Sequence, residues 1–275
     1  VLRRRVAIAL RQHRENAGLT QKEVSRRTGI AANRINHFEV MRNLPPDKEL
    51  VRLLELYEAT EETDELLAIL PLARKRTPTE AATTDPDQFN LYVGLEAGAT
   101  QIESYDALVL KGLIQTADYA EALLRGHGQG LPEAEVRRRL RLRMRRQELL
   151  AAQSPTQLWF VVPQQVLEVP VGGSGVMRGQ LAHLLDVAKL PNVELQVIPR
   201  DVVPYAAMHG PFTMMSFPIP GDAGLVYVET RVRGLFFERP DELQEYRHVM
   251  NHLRVLAASP KESSRLIDRI RKEVQ

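Results

Sequence analysis

At 275 residues, 44% of them apolar and 26% charged, the chain exceeds one typical domain of about 100 to 200 residues and has the composition of a soluble globular protein, so two domains are expected. The absence of cysteine excludes a disulfide scaffold, a thiolate zinc site and cysteine catalysis, and apolar runs such as Leu158–Val162 fall far short of the roughly 20 residues of a membrane span, which points to a cytoplasmic protein. A net charge of +2 hides a partition: residues 1–44 hold ten Lys/Arg against three Asp/Glu, residues 45–70 hold two against eight, and the other 205 are nearly balanced.

Leu2, Val6, Ala9, Leu10 and Ala17 mark one face of a first helix, which Gly18 stops because glycine accepts the left-handed cap conformation at little cost. Thr20-Gln21-Lys22-Glu23 reads as a capping box, with the Thr20 hydroxyl accepting from a first-turn amide and Glu23 reaching back to the cap amide. This second helix ends near Thr28-Gly29, with Val24 inward and Ser25 small enough for a crossing helix; Ile30 anchors the turn. A third helix over residues 31–40 turns Ile35 and Phe38 inward, leaving Ala32, Asn33, Arg34, Asn36 and His37 outward.

The polar stretch over residues 74–86 reads as a linker, which divides the chain into an amino-terminal domain (1–72), a linker (73–88) and a second domain (89–275). Beyond it, Leu91, Leu95, Ala99 and Ile102 recur at helical spacing and predict a helix ending near Glu103, followed by helices over 116–125 and 133–152. Strand-like runs follow at 158–162, 193–198, 212–217 and 225–230, with a weaker fifth at 234–237; prolines 163, 199, 211, 218 and 220 stand at their ends. A helix over 178–188 separates the first two, and helices over 240–257 and 261–273 close the chain. The expected fold is an all-α amino-terminal domain plus an α+β domain with a mainly antiparallel sheet of four or five strands.

Two short helices joined by a tight glycine turn, the second with a polar outer face in a basic stretch, suit a helix seated in the major groove of duplex DNA. Asn pairs with both adenine edge atoms, Ala32 meets a thymine methyl, Arg34 or His37 donates to a base or phosphate, and Gln21 stands where a helix amino end holds a phosphate. The segment LRQHRENAGLTQKEVSRRTGIAANRINHFE resembles the Xre-type helix-turn-helix regulators. By that resemblance Ala32, Asn33 and His37 face bases, while Gln21, Arg34, Asn36 and Arg42 face phosphates or bases at the edge of the site. One position departs: most members of the family carry glycine two residues after the glutamate, where this chain has Met41. The acidic stretch from Asp47 to Glu65 is expected on helices turned away from DNA.

Downstream, Gly112-Leu113-Ile114-Gln115-Thr116 and Tyr119-Ala120 lie within a longer stretch that resembles the second domain of actinobacterial antitoxin-like Xre regulators. The resemblance implies a small acidic partner protein encoded beside the regulator and a second domain without an assigned activity; a homodimer is expected because such a headpiece alone buries little DNA surface, and a small-molecule effector is also open. A departure falls at Pro163-Gln164-Gln165, where relatives often carry an acidic residue. The densest charge is Arg137, Arg138, Arg139, Arg141, Arg143, Arg145 and Arg146, either a docking surface for an acidic partner or nucleic acid, or a helix whose arginines pair with the domain's own carboxylates. Glu245, His248 and His252 share a helix face but lack the glutamate beside the first histidine that a zinc hydrolase uses, and Gly172-Gly173-Ser174-Gly175 lacks the lysine of a phosphate loop. No enzyme, cofactor or metal is expected.

Overall fold

The Thr20 box forms: its hydroxyl accepts from the Glu23 amide (3.3 Å) and the Glu23 carboxylate accepts from the Thr20 amide (2.8 Å). In the computed structural model, residues 1–74, 88–126, 130–151, 156–203, 207–231 and 233–274 are described, so the linker expected at 73–88 lies almost wholly outside the described residues. Helix α1 spans Leu2–Asn16, α2 Gln21–Thr28, α3 Ala32–Glu39, α4 Asp47–Leu56 and α5 Thr63–Arg74. Gly18 and Gly29 take φ of +67° and +74°, the left-handed values that stop α1 and α2. Val6, Leu10, Val24, Ile30, Ile35, Phe38, Leu50, Leu54 and Leu66 close a single core among these helices. Ala17, expected on the buried face of α1, is exposed beyond its last turn.

Helix α6, Gln88–Ala97, packs on α1 through two glycines. A Cβ at Gly94 would overlap the Arg5 guanidinium, and one at Gly98 the Ile8 side chain. These helices, with residues 216–225 and 230–238, make one compact unit; residues 100–215, 226–229 and 239–275 make the other.

The sheet departs from the expectation of a mainly antiparallel one of four or five strands. The six strands, β1 (Gln101–Tyr105), β2 (Gln157–Pro163), β3 (Val193–Ile198), β4 (Phe212–Ser216), β5 (Leu225–Glu229) and β6 (Gly234–Phe237), are ordered β3-β2-β1-β4-β5-β6. Strands β1, β2 and β3 are parallel, with Ile102 opposite Leu158 and Leu158 opposite Val193. Tyr105 at the end of β1 lies 6.2 Å from Phe212 at the start of β4, which sets those neighbours antiparallel. The helix expected to run on to Glu103 ends at Ala97 instead, and Ile102 belongs to β1, where it alternates with half-buried Gln101 and Glu103. The nearly unbroken apolar run of β2 follows from a parallel strand covered on both faces.

Helices α7 (Ala117–Arg125) and α8 (Glu133–Arg146) lie between β1 and β2, and α9 (Gln164–Glu168) and α10 (Ser174–Val187) between β2 and β3; α11 (Pro240–Leu256) and α12 (Pro260–Glu273) end the chain. α12 seals the outer edge of β3: the Ser263 hydroxyl accepts from the Val197 amide (2.9 Å) and donates to the Ala258 carbonyl (3.1 Å).

Candidate nucleic-acid interface

Ile35, Phe38 and Glu39 are the buried residues of α3, and at about 100° per residue they fix its orientation. Asn33 and His37 then fall opposite the core, Asn36 on one flank and Arg34 on the other. Asn33 and Arg34 are exposed, Asn36 and His37 half-buried, and Ala32, at the first turn, is half-buried near the core edge.

A buried carboxylate organises the flank toward α2. Arg14 grips Glu39 with two nitrogens (2.6 and 2.9 Å), tying α1 to α3, and Gln21 donates its amide to the same carboxylate (2.8 Å) and to Asn36 Oδ1 (3.5 Å). Glu39 holds the Arg14 guanidinium above its ordinary pKa, chiefly through these hydrogen bonds, so the clamp stays charged. Gln21 and Asn36, singled out separately in the sequence, therefore form one contiguous polar surface.

His37 Nε2 and Arg42 Nη1 are 3.2 Å apart, bringing a second pair of the expected residues together. Between them Met41 has φ of +60°, so the chain takes the left-handed bend for which the resembling family uses glycine, at a cost of about 1–2 kcal/mol for a residue with a side chain. Arg34 is brought to neither pair: it binds Glu49 of α4 (2.9 Å) and lies over the Phe38 ring (5.7 Å).

The charge partition resolves differently from the expectation that the basic stretch faces DNA and the acidic one faces away. Arg5 is buried against Glu62 and Glu65 (2.7 and 3.0 Å), and Arg4 against Asp222 (2.5 Å) and Glu238. Glu49, Glu62 and Glu65 of the acidic stretch thus neutralise arginines of the basic one. Among the described residues the cations of the basic stretch without a carboxylate partner are Arg3, Arg42 and the three of α2: with Val24 and Thr28 inward, Lys22 and Arg26 point outward, and Arg27 is exposed beside them. The α2 cations were passed over in the sequence, although the spacing from Val24 already places Lys22 and Arg26 on the outer face.

In the second unit the segment over residues 112–120 is held by buried hydrogen bonds. Gln180, fully buried, accepts from the Thr116 amide and donates to the Ile114 carbonyl (both 2.7 Å). Gln115 donates to the Leu110 carbonyl (2.6 Å) and accepts from Arg143 (2.8 Å). Asp106, buried past the end of β1, accepts the Ser104 hydroxyl (2.6 Å), and burial pushes its carboxyl up to about 6. Glu245, His248 and His252 lie exposed on α11. Gly172 and Gly173 take positive φ in the turn before α10. Among the described residues no helix is long and apolar enough to cross a membrane.

Comparison with known families bears on both parts. Residues 5–67 match the family described as helix-turn-helix domain, which supports DNA binding by the amino-terminal helices. Residues 89–269, well over half of the chain, match the family described as domain of unknown function (DUF5753), and the chain belongs to that family. No curated protein and no solved structure matches it.

Proposed function

We propose that the chain is a cytoplasmic transcription regulator of the Xre type it resembles, without a catalytic step, that reads a two-fold DNA site as a homodimer. Residues 1–72 bind the duplex, 73–88 link, and 89–275 pair the protomers and receive a signal from a small acidic protein or a small-molecule effector. Half-sites are spaced by about one helical turn, because two copies of α3 then enter successive major grooves on one side of the duplex.

The observation that carries this reading is the outer face of α3: Asn33 and His37 stand farthest from the core, flanked by the joined Gln21 and Asn36 and by the unpaired cations of α2. Asn33 supplies a bidentate amide for an adenine edge, and Gln21, Lys22 and Arg26 supply phosphate contacts without base information. The test is selection of bound duplexes from a random-sequence pool, followed by titration of variants on the selected site. Asn33→Ala costs about 1–3 kcal/mol and relaxes one base position. Gln21→Ala weakens all sequences alike. An Asn33→Ala protein with unaltered base preference overturns this placement of the reading face.

A further inference from the structure

The flank of α3 that faces away from α2 holds a cavity of about 450 Å³ lined by Arg3, Arg34, Phe38, Asn43, Leu44 and Arg74. We propose that it takes a phosphodiester of the DNA backbone, on the strand opposite the one met by Gln21. This rests on the DNA-binding reading above and adds a second phosphate site to it.

The argument begins with geometry. A helix about 10–12 Å across fills a major groove about 12 Å wide, so a sugar-phosphate backbone borders it on either side. Gln21 lies against Asn36, which assigns one border to α2. Arg34 is turned about 200° from Asn36, two residues at about 100° each, and so belongs to the other border.

The chemistry of the cavity suits one anion. Arg34 is tied to Glu49 (2.9 Å), and Arg74 to Asp47 (2.6 Å) and to the Pro45 carbonyl (3.1 Å). Each guanidinium keeps further N–H groups beyond these bonds. Arg3 donates to the Ala73 carbonyl (3.2 Å) and has no carboxylate partner among the described residues. Three guanidiniums against two carboxylates leave one positive charge, the complement of a phosphodiester. The Phe38 ring under Arg34 (5.7 Å) and the Leu44 side chain form an apolar wall that restricts how far the guanidinium moves. Asn43 adds an amide at the rim.

The full chain is titrated with duplex DNA over a range of salt concentrations, as wild type, Arg3→Gln and Arg74→Gln, with thermal melting to confirm folding and Arg74→Lys as the conservative control. Each Gln variant is expected to bind about tenfold more weakly on every duplex, keep the wild-type base preference, and lose about one unit of the salt slope, while Arg74→Lys keeps most of it. Scanning the duplex with single methylphosphonate linkages, which carry no charge, then locates the phosphate: one linkage weakens wild type but leaves Arg3→Gln unchanged. An unchanged salt slope in Arg3→Gln, beside an Asn33→Ala variant that does relax base preference, overturns the cavity and leaves the DNA reading standing. A wild-type protein that binds no duplex overturns both. Inorganic phosphate that binds saturably without DNA, is lost in Arg3→Gln, and leaves the DNA salt slope untouched assigns the cavity to a free anion and overturns the backbone contact.

Discussion

Helices α1 and α8 are both dense in arginine, and they spend that charge in opposite ways. On α1, Arg4 and Arg5 are about 5% exposed and bind carboxylates far along the chain: Asp222 and Glu238 for Arg4, Glu62 and Glu65 for Arg5. On α8, Arg137, Arg138 and Arg139 have side chains 61, 60 and 44% exposed and bind Glu133 and Glu135 three or four residues back on the same helix. The first set holds elements together; the second decorates a surface. What separates them is whether the partner is distant enough in sequence to bring an apolar surround with it. An ion pair stripped of water on both sides is costly to break, whereas an exposed one competes with solvent and salt.

The largest effect is therefore expected at Arg4. Its guanidinium donates to both Asp222 oxygens (2.5 and 2.7 Å), to the Gly224 carbonyl (3.1 Å) and to Glu238, over the Phe217 ring (5.1 Å). Arg4→Met leaves the Asp222 carboxylate buried without its cation and costs about 3–5 kcal/mol in urea unfolding of the full chain. Replacing both partners, Arg4→Met with Asp222→Leu, recovers most of the loss, because the charge to be desolvated is then gone. A cost for the single variant no larger than that of an exposed pair erases the contrast between the helices.

This contrast also marks how far the sequence could be read. The Thr20 box, the glycine stops at 18 and 29, and the outward face of α3 were legible because each depends on residues within one or two turns. Strand β3 was legible from VELQVI, where β-branched and alternating apolar residues stand between turn signals. Arg4 was not, since its partners lie 218 and 234 residues away and nothing local marks them. Strand β1 was lost because Ile102 happens to continue the helical spacing of Leu95 and Ala99, and the parallel order of β1, β2 and β3 because strand direction is set by the intervening helices rather than by the strands' own residues. At the site, the phase of α3 gave the reading face, but the pairing of Arg34 with Glu49 and the removal of Arg4 and Arg5 into ion pairs are tertiary facts that a charge count overstates.

A middle-sized effect is expected on acidification. Hydrogen bonding from His13 and the adjacent Arg5 guanidinium lower the Glu62 carboxyl from its ordinary 4.5 to about 2. A carboxyl depressed on folding stabilises fully above its unfolded value, and that contribution drains away as the pH falls from about 4.5 through about 2. Glu62→Gln removes the dependence, so the gap in unfolding midpoint between wild type and variant is wide at neutral pH and closes across that window. A gap that persists unchanged at the acid end assigns Glu62 a packing role rather than an ionic one.

The smallest effect is the sharpest discriminator, because Glu135 on α8 is also held at about 2, by hydrogen bonds from Arg138 and Arg139. Two carboxyls depressed alike thus differ in their partners: His13 and Arg5 are largely shielded, whereas Arg138 and Arg139 stand in solvent. Counterions reach the exposed guanidiniums, and at molar salt the screening length falls to about 3 Å, comparable with the pair itself. Carboxyl titration by NMR at low and high salt should return Glu135 toward its ordinary value while Glu62 moves little. Glu135→Gln correspondingly leaves the unfolding midpoint in high salt where it was. Equal salt sensitivity at the two carboxyls would mean that water reaches Arg5 as freely as it reaches α8, and the buried character of the α1 pairs would fall with it.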